Sequence, residues 1–420
     1  MRAEIIAIGS ELVSGQRIDT NSAWLSGRLG ELGIPVRVHT SISDDLDENI
    51  SAFRIAADRA DLVIATGGLG PTQDDLTREA MAAVAGVPLV EDETSLRHIK
   101  AMFLKRRREM AERNRMQALF PAGSEPLPNR VGTAPGIGMG LGRAWVACLP
   151  GVPSEMKVMF DEQVAPRLKA KGVAGRVIVH RSIHLFGLGE SEVEARAMDL
   201  TARGRTPEVG ITASDATITL RVSAEGADEA EALTLAEPTL ATIRERFGEV
   251  VVGEQGEGVA EALVKALAAA GTTLATAESC TGGLVASRIT AIPGVSPYFL
   301  GGVVTYANAA KVAMLEVSPE LIEEHGAVSA EVAEAMAVGV RGRFLSGIGL
   351  SITGVAGPTG GTAAKPIGLV YLGLADESGA WHQRLDLGPE QTREVIQSRA
   401  AKHAMNWARL HLRGHAAERP

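Results

Sequence analysis

Short apolar runs that end at glycine and lead into segments of helical spacing recur along this chain, and that recurrence predicts its architecture. Ala3–Ile8 (AEIIAI) is a strand ending at Gly9. From Thr20 to Leu32 apolar residues return at Ala23, Trp24, Leu25, Leu29 and Leu32, one face of a helix closed by Gly33. IPVRVHT is the next strand, followed by a helix capped near Asp44. DLVIAT is a third strand, running into a glycine loop with a helix from about Asp74. Strand and helix in strict turn predict a parallel sheet covered on both faces. GTAPGIGMGLGRAWVACLPG then reads as a glycine-rich hairpin, and Pro153 opens a long helix to about Lys171.

The pattern changes between residues 172 and 250. RVIVHRSIHLFG and ATITLRVSAEG have the period-2 character of strands, two helical patterns surround them, and GADEAEALTLAEPTLATIRERFG is rich in acid and alanine. This is a small α+β module. From Gly256 the alternation restarts: GVAEALVKALAAAG is an amphipathic helix, TTLATA a strand, LVASRITAI a helix and FLGGVVTY a strand, followed by helices through Phe344. Ser318-Pro319 with Gly326 has proline just inside a helix start and glycine just past its end. GIGLSITG and IGLVYLGLA are buried-type strands, and a last helix runs from about Pro389. The fold class is α/β: two α/β domains joined by the small module.

Composition narrows the function classes. At 420 residues, with 45% hydrophobic and 22% charged, the chain reads as a well-packed soluble protein of two or three domains. The excess of 51 acids over 42 Lys plus Arg gives a net charge of -9, which offers no general attraction to nucleic acid or anionic lipid. The start, MRAEIIAIGSEL, has no apolar segment of signal-peptide length, and no run of about 18 uncharged apolar residues predicts a membrane helix. Cys148 and Cys280 belong to no CxxC and read as reduced thiols, so the expected location is the cytoplasm. Lys105-Arg-Arg-Arg108, with Arg113 and Arg115 downstream, is a solvated helix face rather than a nucleic-acid patch.

Two loops carry candidate chemistry. Thr66-Gly-Gly-Leu-Gly-Pro-Thr-Gln-Asp-Asp75 follows a strand and opens a helix, so Gly67, Gly68, Gly70 and Thr72 can bring a phosphate to the backbone at a helix N-terminus. Of Asp74 and Asp75, one can cap the helix and the other can bind a divalent cation. These residues, with LPGVPSEM, IGSELVSGQRIDTNSAWL and NRMQALFPAGSEPLPNRVGTAPG, resemble the molybdopterin-binding fold as it occurs in the CinA (competence/damage-inducible protein A) family. The resemblance covers essentially the whole chain in order. For the first domain it implies a metal-dependent pyrophosphatase that splits ADP-ribose into AMP and ribose 5-phosphate. The nucleotide would lie along the 66–75 loop. Asp74, Asp75, Glu11 and Asp19 would stand near a divalent cation (Mg, Mn or Co, with potassium as a further ion), Asn21 would line the cleft and Arg115 would reach the phosphates. Which carboxylate is ligand and which is base stays open.

The second loop is Thr276-Ala-Glu-Ser-Cys-Thr-Gly-Gly283, where a strand gives way to a helix and a serine stands beside a cysteine. It is not a GxSxG elbow, since Ala277 and Thr281 flank Ser279 at the glycine positions. TYANAAK supplies Tyr306 and Lys311, and a desolvated lysine can deprotonate a serine. SITGVAGPTGGT offers Thr353, Gly354, Gly357, Gly360 and Gly361 as backbone donors to an oxyanion or phosphate, with Lys365 as an added cation. His325 is placed at a helix end, outside the chemistry. AESCTGG, TYxNxxK and ITGxAGPxGGTxxKPxG resemble the nicotinamide mononucleotide (NMN) deamidase family that forms the C-terminal domain of CinA proteins. That resemblance implies hydrolysis of NMN to nicotinic acid mononucleotide and ammonia without a cofactor. Ser279 would be the nucleophile, Lys311 its base and Tyr306 a relay or orienting group. Glu278, Thr281, Gly282, Gly283, Thr353, Gly354 and Arg399 would serve substrate. One departure stands in the last helix, where Gln397 occupies a position at which the family usually has arginine.

The expected organisation is residues 1–171 as a molybdopterin-binding-like α/β/α domain, 172–252 as a KH-like α+β module and 253–415 as a three-layer α/β/α deamidase domain. The GxxG nearest the module, Gly172-Val-Ala-Gly175, precedes its first strand, so the module reads as a spacer or dimerisation element without RNA. The partners expected are the two nucleotides and a second copy of the chain. The alternatives are a binding protein of DNA uptake or repair, and a pterin-cofactor binder.

Overall fold

The structure is a computed structural model that describes residues 1–171 and 177–414. Gly172-Val-Ala-Gly175 lies outside the described residues. The chain divides into two compact units, Met1–Val179 with Ala224–Leu235, and His180–Ser223 with Ala236–Pro420. Most of the middle segment therefore belongs with the C-terminal half.

The first unit runs β1 (Ala3–Ile8), α1 (Ser10–Val13), α2 (Thr20–Glu31), β2 (Val36–Ile42), α3 (Leu46–Arg59), β3 (Leu62–Thr66), α4 (Thr77–Ala85), β4 (Leu89–Glu91) and α5 (Glu93–Lys105). It continues with β5 (Leu119–Pro121), β6 (Glu125–Leu127), β7 (Gly136–Leu141), β8 (Ala144–Leu149), α6 (Pro153–Met159) and α7 (Ala165–Ala170). Its six-stranded sheet has the order β2-β1-β3-β8-β7-β6. The first four strands are parallel and the last two antiparallel, because β7 and β8 form the predicted hairpin. β1 and β3 are buried throughout since both faces are covered, and the one charge among them, Glu4, is paired with Arg59. Ile6, Ile8, Val63 and Ala65 pack with Phe53 and Met81, while the alternate residues Ile5, Leu62 and Ile64 pack with Leu25, Met156 and Phe160.

The second part runs β9 (Val177–Phe186), α8 (Glu190–Ala197), β10 (Glu208–Ser214), β11 (Thr217–Gly226), α9 (Glu229–Phe247) and β12 (Val251–Glu254), with sheet order β10-β11-β9-β12. Then come α10 (Val259–Ala270), β13 (Leu274–Glu278), α11 (Leu284–Thr290), β14 (Phe299–Val304), α12 (Asn308–Leu315), α13 (Pro319–His325), α14 (Ala330–Phe344), β15 (Ile348–Gly354), β16 (Leu369–Ala375), β17 (Ala380–Asp386) and α15 (Arg393–Leu412). The five-stranded sheet β14-β13-β15-β16-β17 has one core under α10, α11 and α15 and another under α12, α13 and α14. β14, β13 and β15 are parallel, but β16 and β17 are antiparallel. The loop after β15 turns the chain straight back instead of crossing over through a helix. Among the described residues no helix is long and apolar enough to cross a membrane.

Six strands escape the hydrophobic pattern: β4, β5, β6, β10, β12 and β17, all at sheet edges. An edge strand with one neighbour carries polar residues on its open side, so EVGITAS and AWHQRLD never form an apolar run. Two helix starts also differ. α4 begins at Thr77 rather than near Asp74, because Asp75 turns back to its own loop. α15 begins after Thr392, whose side chain accepts from the Val395 amide, rather than at Pro389.

Candidate functional site

β13 ends at Glu278, and the turn that follows carries Ser279 to the start of α11. Gly282 and Gly283 take positive φ (65° and 97°), which is what lets the chain reverse so tightly there. Glu278 is 1% exposed, and its carboxylate faces this turn from inside. Oε2 accepts from the amides of Gly283 and Val285, both at 3.1 Å, and Oε1 from Ala286 at 2.9 Å. The donors at the start of α11 that the sequence offered to a phosphate are thus satisfied by the protein itself. No acceptor among the described residues takes the amides of Cys280 and Thr281, and the buried Thr281 hydroxyl has no partner.

Lys311 sits in the first turn of α12 and is 1% exposed. Its Nζ lies 3.2 Å from Ser279 Oγ, 2.9 Å from the Thr305 carbonyl and 3.5 Å from that of Tyr306. Burial lowers its pKa, and among the described residues no carboxylate pairs with it to restore the charge. The neighbouring thiol behaves oppositely: burial pushes Cys280 up to about 12, which keeps it protonated. A buried amine of depressed pKa beside a hydroxyl is the arrangement a serine nucleophile requires.

Tyr306 is 60% exposed, and its hydroxyl accepts from Arg393 Nη2 at 3.0 Å. Arg393 Nη1 donates to the Gly357 carbonyl at 2.6 Å, so one guanidinium ties Tyr306 to the 355–361 loop. Thr353 Oγ1 donates to Ala327 O (2.7 Å), and Lys365 Nζ donates to His325 O (2.6 Å) at the end of α13. Both brace the loop rather than stand free. Gly354 and Gly361 pack against Val370 and Ile367, while Gly360 has open space around it. Arg399 lies on α15 with a buried Nε that has no partner. Gln397 Nε2 donates to the Cys280 carbonyl at 2.7 Å and so holds the Ser279 turn. Arg393 has no spacing signal of its own, since a first-turn arginine reads as surface, while Gln397 stood out only as a departure from the family's usual arginine.

In the first unit, Gly67 (φ 113°) crosses so close to β1 that a Cβ would fall 2.2 Å from Ile8 O. Gly68 is equally tight against Thr77. Asp75 clips the loop, accepting from Gly70 N (2.7 Å), Thr72 N (2.8 Å) and the Thr72 hydroxyl. Beneath it Arg78, 1% exposed, donates to the carbonyls of Leu69 (2.7 Å) and Gly70 (3.4 Å). Burial lowers its pKa to about 10, so it keeps its charge, with no salt bridge to it among the described residues. The pattern hid this residue, since an arginine at a helix start reads as solvated. Asn21 Nδ2 bonds Thr66 Oγ1 (3.1 Å) and Gly151 O (2.9 Å), and its Oδ1 has no partner. Asp19 is the N-cap of α2 through Ser22 N, Glu11 lies on α1 beside Gly9, and Asp74 is exposed on the loop. Among the described residues no three His, Cys, Asp or Glu side chains gather where they could hold a metal. Arg115 is exposed and bonded to Glu91 (Nη2–Oε1 3.1 Å), away from the loop's own hydrogen bonds.

Three family profiles match in chain order: a probable molybdopterin binding domain over residues 4–170, the damage-inducible protein CinA KH domain over 180–253 and the CinA C-terminal domain over 256–412. The protein is therefore a mixed α/β protein with a molybdopterin-binding-like N-terminal domain, a KH-like middle and the CinA C-terminal fold. A CinA-like protein of Desulfovibrio desulfuricans is 44% identical over 421 residues, covering 99% of this chain and 97% of its own. One of Anaeromyxobacter is 44% identical over 425 residues, covering 98% of this chain and 100% of its own. The solved CinA protein of Thermoplasma acidophilum, of unknown function, is 36% identical over 41% of this chain and 97% of its own, with a TM-score of 0.37. The chain belongs to the CinA family.

Proposed function

We propose that the C-terminal half hydrolyses the amide of NMN to nicotinic acid mononucleotide and ammonia. The observation that carries this reading is the buried Lys311 amine, unpaired with any carboxylate among the described residues, 3.2 Å from Ser279 Oγ. In the neutral form Lys311 takes the Ser279 proton as Oγ bonds to the carboxamide carbon. The oxyanion faces the amides of Cys280 and Thr281, the unsatisfied donors nearest the nucleophile. Lys311 returns the proton to the leaving nitrogen, ammonia departs, and water then attacks the acyl-serine by the same base. Tyr306, held by Arg393, stands at the exposed mouth where it orients the substrate. The test is ammonia release from NMN by the whole chain, Ser279→Ala and Cys280→Ala. Activity lost in the first and kept in the second supports the reading; activity kept in Ser279→Ala overturns it.

A second reading concerns the first unit, and the observation favouring it is the glycine loop held ready by Asp75 and the buried Arg78. We propose that this loop binds the diphosphate of ADP-ribose and that the unit cleaves it to AMP and ribose 5-phosphate. Arg78 supplies positive charge under the loop, and the unpartnered Asn21 Oδ1 accepts a hydroxyl or amine from the ligand. Chromatography of ADP-ribose after incubation with added Mg, Mn or Co, or with EDTA, tests both the cleavage and its metal requirement. An unchanged ADP-ribose peak in every condition rejects the reading.

A further inference from the structure

The hairpin between β10 and β11 is a two-residue turn, Asp215-Ala216, with Ser214 paired to Thr217. Both turn residues take positive φ (47° and 59°) and neither is glycine. Such backbone is disfavoured for residues with a Cβ and persists where surroundings hold it. Here they do. Ala216 packs against the hydrophobic core of the C-terminal fold, and Asp215 reaches α15. Its Oδ2 accepts from Ser398 Oγ at 2.5 Å and pairs with Lys402 Nζ at 2.9 Å. Lys402 Nζ also bonds the Asp215 carbonyl (2.7 Å) and Thr217 Oγ1 (3.0 Å).

The same serine is gripped from the other side. Arg288, on the helix that the Ser279 turn launches, donates Nη1 to the Ser398 carbonyl at 3.1 Å and Nη2 to its hydroxyl. Ser398 is flanked on α15 by Gln397, which holds the Cys280 carbonyl, and one helical turn before it Arg393 holds Tyr306 and Gly357. A single helix therefore grips the nucleophile turn, the tyrosine and the glycine loop. One carboxylate on the middle module, Asp215, bonds this helix at Ser398 and Lys402.

We infer that Asp215 is a positioning residue for the Ser279 site: the middle module's hairpin tip locks α15 and α11 so that Gln397 and Arg393 hold the catalytic turn and loop. This rests on the amidohydrolase reading above. It gives the KH-like module a job within its own chain, independent of nucleic acid. Removing Asp215 leaves the apolar face of α15 in its core but takes away the acceptor that Ser398 and Lys402 share, loosening the polar anchor beside Gln397 and Arg393.

The test compares the whole chain with Asp215→Ala, Asp215→Asn and Ser398→Ala, the last leaving the hairpin untouched. The expected result is a kcat for NMN amide hydrolysis reduced about ten- to a hundred-fold in Asp215→Ala, with KM little changed, the size of loss that small misplacements of reacting groups produce. Asp215→Asn keeps an oxygen for Ser398 Oγ and tolerates positive φ, so it recovers part of the rate. ADP-ribose cleavage, read on the same samples, should stay at the wild-type rate, and any fall in thermal midpoint should leave Asp215→Ala fully folded at the assay temperature. An unchanged kcat in both Asp215→Ala and Ser398→Ala overturns the inference, as does a loss that merely tracks a fall in the thermal midpoint. If the wild type releases no ammonia from NMN, the function reading fails on its own. The positioning role is then read from the rate at which a fluorophosphonate labels Ser279: slower labelling in Asp215→Ala supports it, equal labelling refutes it.

Discussion

Replacing Lys311 by methionine separates the chemical role of that side chain from its structural one. Methionine has nearly the same length and fills the same buried space, so packing is kept while the amine is lost. Loss of a general base costs about 10²- to 10⁴-fold, equivalent to about 3–5 kcal/mol of barrier. Stability should move the other way. Burial lowers the Lys311 pKa, so between the ordinary lysine value and the folded one the unfolded chain binds the extra proton. The protein accordingly loses stability as pH falls through that window, and below it the full penalty applies. Methionine removes this penalty and forfeits the bond to the Thr305 carbonyl, a neutral exchange or a small gain. The assay is ammonia release from NMN as a function of pH, with thermal midpoints on the same samples. Wild-type kcat/KM should rise with pH along its acid limb, since only the neutral amine is a base, and the variant should be near-inactive with an undiminished midpoint. A Lys311→Met enzyme that keeps a tenth or more of wild-type activity would refute the Ser-Lys assignment.

Other variants probe the supports. Glu278→Gln replaces an acceptor facing three backbone amides with a group that turns a donor toward at least one of them, and should destabilise the fold by about 1.5–3 kcal/mol, read as a lower thermal midpoint; a midpoint at the wild-type value would show the cap to be dispensable. His403 packs edge-on to Phe186 at 4.8 Å, and burial pulls its pKa from 6.5 to about 4. The unfolded chain takes up the proton first, so stability should fall by up to about 3 kcal/mol as pH drops from about 6.5 to about 4. His403→Leu should flatten that slope in midpoint against pH, and parallel slopes would dismiss the assignment. Asp75→Asn weakens the clip on Gly70 and Thr72 and should abolish ADP-ribose cleavage while NMN hydrolysis continues at the wild-type rate. A parallel loss of both activities would contradict independent sites.

Reading the chain located most elements and both loops because those signals are local. Strand β13, glycine at the turn and helix α11 each declare themselves within a dozen residues. So does the alternation that makes β1 and β3 buried on both faces. What failed was whatever depends on a partner distant in sequence. The edge strands β10 and β17 lack an apolar run, and the direction of β16 depends on where the preceding loop returns. Glu278 illustrates the same limit within the site. Its place beside Ser279 suggested contact with substrate, yet in the fold both oxygens are bound to backbone amides of its own turn.

The sequence alone determined the α/β alternation, the two glycine loops and the candidate pair Ser279 and Lys311, because periodicity, turn chemistry and motif are properties of short segments. Tertiary structure alone decided that Lys311 is buried without a carboxylate while Cys280 is silenced, and that Asp75 and Glu278 serve their own loops. It alone set Arg393 and Gln397 around the Ser279 turn and its neighbouring loop, and Asp215 against α15. Desolvation and hydrogen-bond geometry depend on which distant groups end up within about 3 Å of one another, and only the packed chain specifies that.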